Sequence, residues 1–154
     1  MATIGVYGWT ADAFLAALRA EGVPLVLDVR QRRGVRGREY AWANAARLQE
    51  ALAAAGLGYA HRLDLAPTRE LREQQYREDE RRGIGKRSRT ELSPAYAEGY
   101  EREILGGVDL APLLAELPAA LLCVERDPEA CHRSLIARRL AADHGVEVRH
   151  LLPP

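Results

Sequence analysis

The sequence predicts an α/β domain in three layers: a mostly parallel sheet of about five strands, with helices on both faces, spanning residues 1–154. Three observations predict it. Short apolar runs of strand length alternate along the chain with segments of helical period. Leu25-Val-Leu-Asp-Val29 and Ala119-Ala-Leu-Leu-Cys-Val124 are apolar nearly throughout, as strands covered on both faces are. The punctuation falls between these units: Thr10, Asn44, Thr68, Ser93 and Asp127 stand where helices should begin, and Gly22, Gly56 and Gly145 where they should stop.

In chain order, Ala2–Tyr7 is a β-type run ending at Gly8. Thr10 caps a helix with Phe14, Leu15 and Leu18 on one face, and Gly22 closes it. Pro24 opens the strand Leu25–Val29, which leads into a basic loop, Arg30–Arg38, with two glycines. Asn44 caps a helix whose core stripe is Leu48 and Leu52, and Leu57–Leu63 is a third strand. Thr68 starts a highly charged helix, Arg69–Arg82, with Leu71 and Tyr76 as its core face; Gly83–Glu91 then reads as a mobile basic linker. Ser93-Pro94 begins a helix running to about Leu105, Gly106-Gly107 breaks it, and Leu110–Leu117 is a further helix. Ala119–Val124 is a fourth strand. Asp127-Pro128 starts a helix through Cys131, Leu135, Ile136 and Leu140, and Val146–Leu151 is the last strand.

Such alternation gives right-handed crossovers and a parallel, doubly wound sheet, expected with the first strand at its centre and next to the fourth. Ligands of such sheets sit beyond the carboxyl ends of the strands. That place should gather Gly8-Trp9, Asp28-Val-Arg30 and Cys123-Val-Glu125.

Bulk properties narrow the function. The 22 basic and 22 acidic residues cancel, so no global field draws the chain to DNA or to a membrane. Charge is nevertheless clustered: Arg30, Arg32, Arg33, Arg36 and Arg38 in one stretch, and Arg81, Arg82, Lys86, Arg87 and Arg89 in another. No apolar run could span a bilayer and no signal-peptide pattern opens the chain, so a cytoplasmic protein without a membrane partner is expected. No cofactor is implied.

Asp28 ends an apolar strand, where a carboxylate is costly unless paired, and Arg30 lies two positions on, facing the same side. The two can share a ligand or form a local ion pair. The loop after them, with Arg32 foremost, can grip an anion through arginine forks and glycine-freed amides, although it lacks the ending of a Walker loop. Cys123-Val-Glu-Arg-Asp-Pro-Glu-Ala-Cys-His-Arg133 is the richest segment. A strand delivers Cys123 and Glu125 to its tip, and a helix start holds Cys131, His132 and Arg133 near free amides. The alternatives are an activated thiol, a polar site using Glu125, His132 and Arg133, or a small core residue at Cys131. A metal held by Cys123, Cys131 and His132, with His61 as a fourth ligand, is not expected. The spacing fits no zinc ribbon, and adjacent Cys-His is awkward for one ion. A disulfide is not expected either. Trp9, Tyr40 and Trp42, near arginines, could stack on bases or fill the core.

Thr3-Ile4-Gly5, Leu27-Asp-Val-Arg30, the segment Cys123–Ile136 and Val148-Arg-His-Leu151 together resemble the family catalogued as domain of unknown function 488, over nearly the whole chain. Gly5-Val-Tyr-Gly-Trp9, Gln31-Arg-Arg-Gly34 and Asp64-Leu-Ala-Pro67 depart from its usual pieces and mark a subgroup. The resemblance implies the α/β fold and the importance of Asp28, Arg30, Cys123, Glu125, Cys131, His132 and Arg133. It implies no activity. Three functions remain open: an enzyme on a small phosphorylated or nucleotide-like ligand, with Glu125, Asp28 or Cys123 catalytic and Arg30, Arg32, Cys131, His132, Arg133 and Trp9 binding; a nucleic-acid-binding module using loop 30–38; or a scaffold whose polar residues only hold the strand ends. Oligomeric state is not legible.

Overall fold

The structure is a computed structural model describing residues Met1–Pro154. Its strands are β1 (Ala2–Ile4), β2 (Leu25–Asp28), β3 (Gly58–His61), β4 (Ala119–Leu122) and β5 (Arg149–Leu151). Its α-helices are α1 (Ala11–Ala20), α2 (Ala45–Ala54), α3 (Arg69–Arg81), α4 (Pro94–Tyr100) and α5 (His132–His144). The sheet order is β3-β2-β4-β1-β5 and every neighbouring pair is parallel.

The order corrects one expectation: β4, not β1, is central. Ala119-Ala-Leu-Leu122 is buried at every position. It carries no side chain that seeks water, so it tolerates neighbours on both edges and cover on both faces. β1 lies next to it, as expected, and takes β5 on its other edge, where Thr3 Oγ1 meets His150 Nδ1 at 2.8 Å.

The winding sets the layers. From β1 through β2 to β3 the chain moves one way across the sheet, and from β3 through β4 to β5 it moves back. Right-handed crossovers then put α1 and α2 on one face and α3, α4 and α5 on the other. Phe14, Leu18, Leu48 and Leu52 pack on Ile4, Val26, Ala120 and Leu122. Leu71, Tyr100, Ile136 and Leu140 pack with Leu27 and Leu121. Each such side chain contributes roughly 1.5–3 kcal/mol when fully removed from water.

Local chemistry accounts for the helix ends. The hydroxyls of Thr10, Thr68 and Ser93 accept from the amides of Ala13, Leu71 and Tyr96, as N-caps do. Gly145 ends α5 in the left-handed region, at φ 65°. Three expectations change. Tyr76 is 40 % exposed, and the inward stripe of α3 is Leu71, Gln75 and Asp79. The segment expected to be a mobile linker holds a short turn at Lys86–Ser88 and buries Arg89. The last helix does not run on from Pro128: a single 3-10 turn, Pro128–Ala130, is followed by Cys131 in extended conformation, and α5 starts at His132. No helix is long and apolar enough to cross a membrane.

Gly5, just past β1, ties the fold to the strand ends. A Cβ there would stand 1.8 Å from the carbonyl oxygen of Glu125, so only glycine lets the two segments pass. Gly5→Ala should therefore push the Glu125 backbone aside and lower unfolding free energy by about 1–3 kcal/mol, the usual penalty of overpacking. Gly34→Ala, which meets only Asn44 Oδ1 at 4.0 Å, should stay within about 0.5 kcal/mol. Urea unfolding of both variants against wild type checks the contrast.

A candidate anion-binding cavity at the strand ends

Ile4 and Asp28 both lie in register with Leu122, so β1, β2 and β4 end level. The chain leaving them, Gly5–Tyr7, Val29–Arg30 and Cys123–Glu125, meets the start of α5 at one edge of the sheet. A cavity of about 630 Å³ opens there. Loop 30–38 supplies one wall, α3 and the segment around Lys86 another, and Cys123, Glu125, Cys131 and His132 the floor.

Asp28 does not face this space. It is fully buried, and its carboxylate is saturated by protein donors. Oδ1 accepts from the Arg30 amide at 3.1 Å and from Arg30 Nε at 2.9 Å; Oδ2 accepts from an Arg30 terminal nitrogen and from the Tyr59 hydroxyl, both at 2.7 Å. Arg30, 2 % exposed, also donates to the carbonyl of Ala43. Burial alone would lower the Arg30 pKa, and the hydrogen bonds and charge of Asp28 raise it instead. His61 closes the frame by donating from Nε2 to the Arg30 carbonyl at 2.8 Å.

Glu125 is the carboxylate that does face the cavity. Its Oε1 accepts from Arg89 at 3.0 Å, with Lys86 Nζ at 3.7 Å, and its Oε2 lies 3.3 Å from Cys123 Sγ. Arg89 also bonds Asp79 Oδ2 at 2.6 Å and the Ala130 carbonyl, and Asp79 accepts from Gln75. Burial would lower the Lys86 pKa, and the neighbouring Glu125 charge raises it well above the ordinary lysine value.

Next to Glu125 the two thiols and an imidazole converge. His132 Nδ1 is 3.9 Å from Cys123 Sγ and 3.8 Å from Cys131 Sγ. His132 Nε2 lies 2.9 Å from the Val29 carbonyl, to which it can only donate. The Tyr100 ring stands 5.3 Å away and fixes the imidazole plane. Both cysteines are free and buried. Burial would raise both thiols. For Cys131 the hydrogen bond from Cys123 and the positive charges of His132 and Arg133 overcome it and hold this thiol well below its ordinary value, while burial pushes Cys123 well above. Burial lowers the His132 pKa, and the Cys131 charge more than reverses this. These three residues are also the group able to offer one metal-ligand atom each within 4.8 Å of one another. His61 is not among them.

Of the residues singled out from sequence, Glu125, Cys123, Cys131, His132, Arg32 and Arg30 line the cavity. Three lie elsewhere. Asp28 is spent on Arg30. Arg133 is fully buried and donates to the carbonyls of Glu125 and Arg126, clamping the loop after β4 from behind. Trp9 is in the core, edge-on to Phe14, and does not reach the cavity. The sequence does not single out Gln75, Asp79, Lys86, Arg89 or Arg72 for the site. The first two were detectable, since 71, 75 and 79 follow one another at i, i+4 on a single helix stripe. Nothing local marks Arg89, one arginine among many.

Residues 10–140 match the family described as domain of unknown function DUF488. No curated protein matches the chain, and no solved structure does.

Removing one partner of the Asp28–Arg30 pair leaves a buried charge uncompensated. Asp28→Ala should destabilise the protein by about 3–5 kcal/mol, while Asp28→Leu combined with Arg30→Met should recover much of that loss. Chemical denaturation of the two variants reads the difference.

Proposed function

The chain belongs to the domain of unknown function 488 family, and from the chemistry of its cavity we propose that it binds a small phosphorylated or nucleotide-like anion at the carboxyl ends of its strands, with Glu125 as the acid–base group. The observation that carries this reading is the charge of the lining: seven arginines or lysines against a single carboxylate, Glu125. Several cations are already matched. Arg30 is held by Asp28, Arg89 by Asp79 and Glu125, Lys86 by Glu125, and Arg87 by Glu39. Arg32, Arg36 and Arg72 line the same space and make no ion pair. Arg72 Nε is buried with no hydrogen-bond partner. Arg72 makes no side-chain hydrogen bond within the protein, so its guanidinium keeps donors free for an anion in the cavity it lines. Three unmatched guanidinium groups on two walls suit a phosphate, whose oxygens accept several such forks.

Glu125 is suited to proton exchange because it is the one carboxylate at the ligand space and its geometry is fixed by Arg89. The nucleic-acid reading has less behind it. Trp9 and Trp42 pack with Phe14, with ring centroids at 6.5 and 5.0 Å, and both indole N–H groups are buried. Tyr40 lies against Tyr7, and Arg87 covers both rings at 5.3 Å. No tryptophan is free to stack on a base.

Calorimetric titration of inorganic phosphate, nucleoside monophosphates and short single-stranded oligonucleotides at low and high salt tests the proposal. A small phosphate ester should bind wild type. Arg72→Ala should weaken it by one to two powers of ten, since a charge-assisted bond contributes roughly 1.5–3 kcal/mol. Glu125→Gln should leave binding intact and stop any turnover. A mononucleotide held at high salt indicates the pocket; oligonucleotide affinity that falls steeply with salt indicates a basic groove instead. No binding of any of these at low salt sinks the proposal in favour of a scaffold.

A further inference from the structure

We propose that Cys123 Sγ, Cys131 Sγ and His132 Nδ1 form a binding site for one divalent transition metal ion, zinc by the softness of its donors, with a fourth position open to the cavity. The site does not depend on the anion-binding reading.

The geometry is near that of a metal centre. Zinc–sulfur and zinc–imidazole bonds of about 2.3 and 2.0–2.1 Å at tetrahedral angles put sulfur and nitrogen ~3.6 Å apart. Here the two distances are 3.9 and 3.8 Å and all three donor atoms lie within 4.8 Å of one another, against ~3.8 Å for two zinc-bound sulfurs, so closing onto an ion needs shifts of at most about an ångström. All three donors are buried and come from two elements whose positions are fixed by the sheet: the end of β4 and the start of α5.

The Cys123 thiol has a hydrogen-bond partner in Glu125 Oε2 at 3.3 Å, but that bond does not account for both sulfurs facing one ring nitrogen. A single imidazole nitrogen lies between two thiol sulfurs. If neutral, Nδ1 has one lone pair and accepts one good hydrogen bond; if protonated, it has one proton to give. Two sulfurs converging on it is what a shared cation calls for. The other ring nitrogen supports the same reading. Metal-bound histidines commonly donate their second N–H to a carbonyl, and Nε2 donates to the Val29 carbonyl at 2.9 Å. The imidazole is thus aimed at the sulfurs by a group that cannot rotate away.

Adjacency of Cys131 and His132 is no obstacle. Cys131 is extended, at φ −143° and ψ 142°, and His132 is the first residue of α5. The change of backbone conformation between them turns both side chains to one point. Two thiolates and an imidazole select zinc or a neighbouring first-row ion over magnesium and calcium, which take oxygen. Three protein ligands with a vacant fourth position match sites that keep a water or substrate ligand, and all three residues line the cavity beside Glu125. On binding, both sulfurs coordinate as thiolates and Nδ1 as a neutral donor, and the displaced protons pass to solvent.

The test uses the full chain, freed of metal by a chelator and kept reduced under nitrogen. Titration with cobalt(II) chloride, followed by absorption, should show one ion per chain and a sulfur-to-cobalt charge-transfer band of the intensity two thiolates give. Zinc chloride should bleach it stoichiometrically. Cys123→Ser, Cys131→Ser and His132→Gln should each weaken binding at least 100-fold, since losing only an outer-shell partner already costs about 10–100-fold. Circular dichroism establishes which variants fold. Where one does not, the cobalt spectrum of wild type decides, because it counts sulfur ligands without any substitution. Absence of the charge-transfer band in reduced wild-type protein overturns the proposal. So does full-affinity binding in folded variants of all three residues.

Discussion

The carboxylate of Asp28 ends a strand in the interior of the sheet, with no exposure to water, and Arg30 lies against it through three hydrogen bonds, two from its guanidinium and one from its backbone amide. Neither charge could stay there alone. Because the partner is only two residues further on, the pair holds the backbone as it leaves β2 and so fixes where loop 30–38 departs. Three other features lean on that fixed path. The Ala43 carbonyl is drawn in by Arg30. His61 of β3 ties to the Arg30 carbonyl. The Val29 carbonyl, one residue earlier, becomes the acceptor that orients His132 on the far side of the sheet edge. One ion pair thus sets the loop that bears Arg32 and the ring that faces the thiols.

A second buried carboxylate, Glu125, makes the opposite wall. Its compensation comes from a distance: Arg89, 36 residues earlier, reaches it while also bonding Asp79 of α3. This is why the segment around Lys86 is held against the body despite its composition. The same logic separates the cavity's cations into two groups. Those matched by carboxylates build the walls, and those without a match leave the space with an excess of positive charge. Arg133 belongs to neither group. It spends its terminal nitrogens on two carbonyls and stiffens the turn that presents Glu125.

The aromatic residues follow volume rather than chemistry. Trp9 and Trp42 converge on Phe14 beneath α1, because the face of the sheet covered by α1 and α2 is floored largely by alanine, valine and leucine and needs bulk to fill. On the other face, Tyr96 and Tyr100 stack 6.3 Å apart, and Tyr100 stands against His132 while its hydroxyl donates to the Leu65 carbonyl. Aromatics there serve to position the imidazole.

By itself the sequence determined the α/β class, the helix caps at Thr10, Thr68 and Ser93, the glycine stops, and the two polar strand ends at Asp28 and Glu125. Each is a local property: periodicity, cap chemistry and the burial cost of a charge at the end of an apolar run can be read within a few residues. The segment from Cys123 to Arg133 was legible as the richest stretch for the same reason. Strand order was not, since β1 and β4 are both short and apolar, and which is central depends on which tolerates neighbours on both edges. The division of the arginines was not legible either. Arg30, Arg89 and Arg133 are buried for three different reasons while Arg32 and Arg36 are not, and only the arrangement of carboxylates and carbonyls around each one decides it. Nor could spacing show that Cys123, Cys131 and His132 meet at one point. That meeting needs the level ends of β2 and β4, a break in the helix at Cys131, and a carbonyl from another strand to aim the ring, and these are relations between segments that only the packed sheet brings into contact.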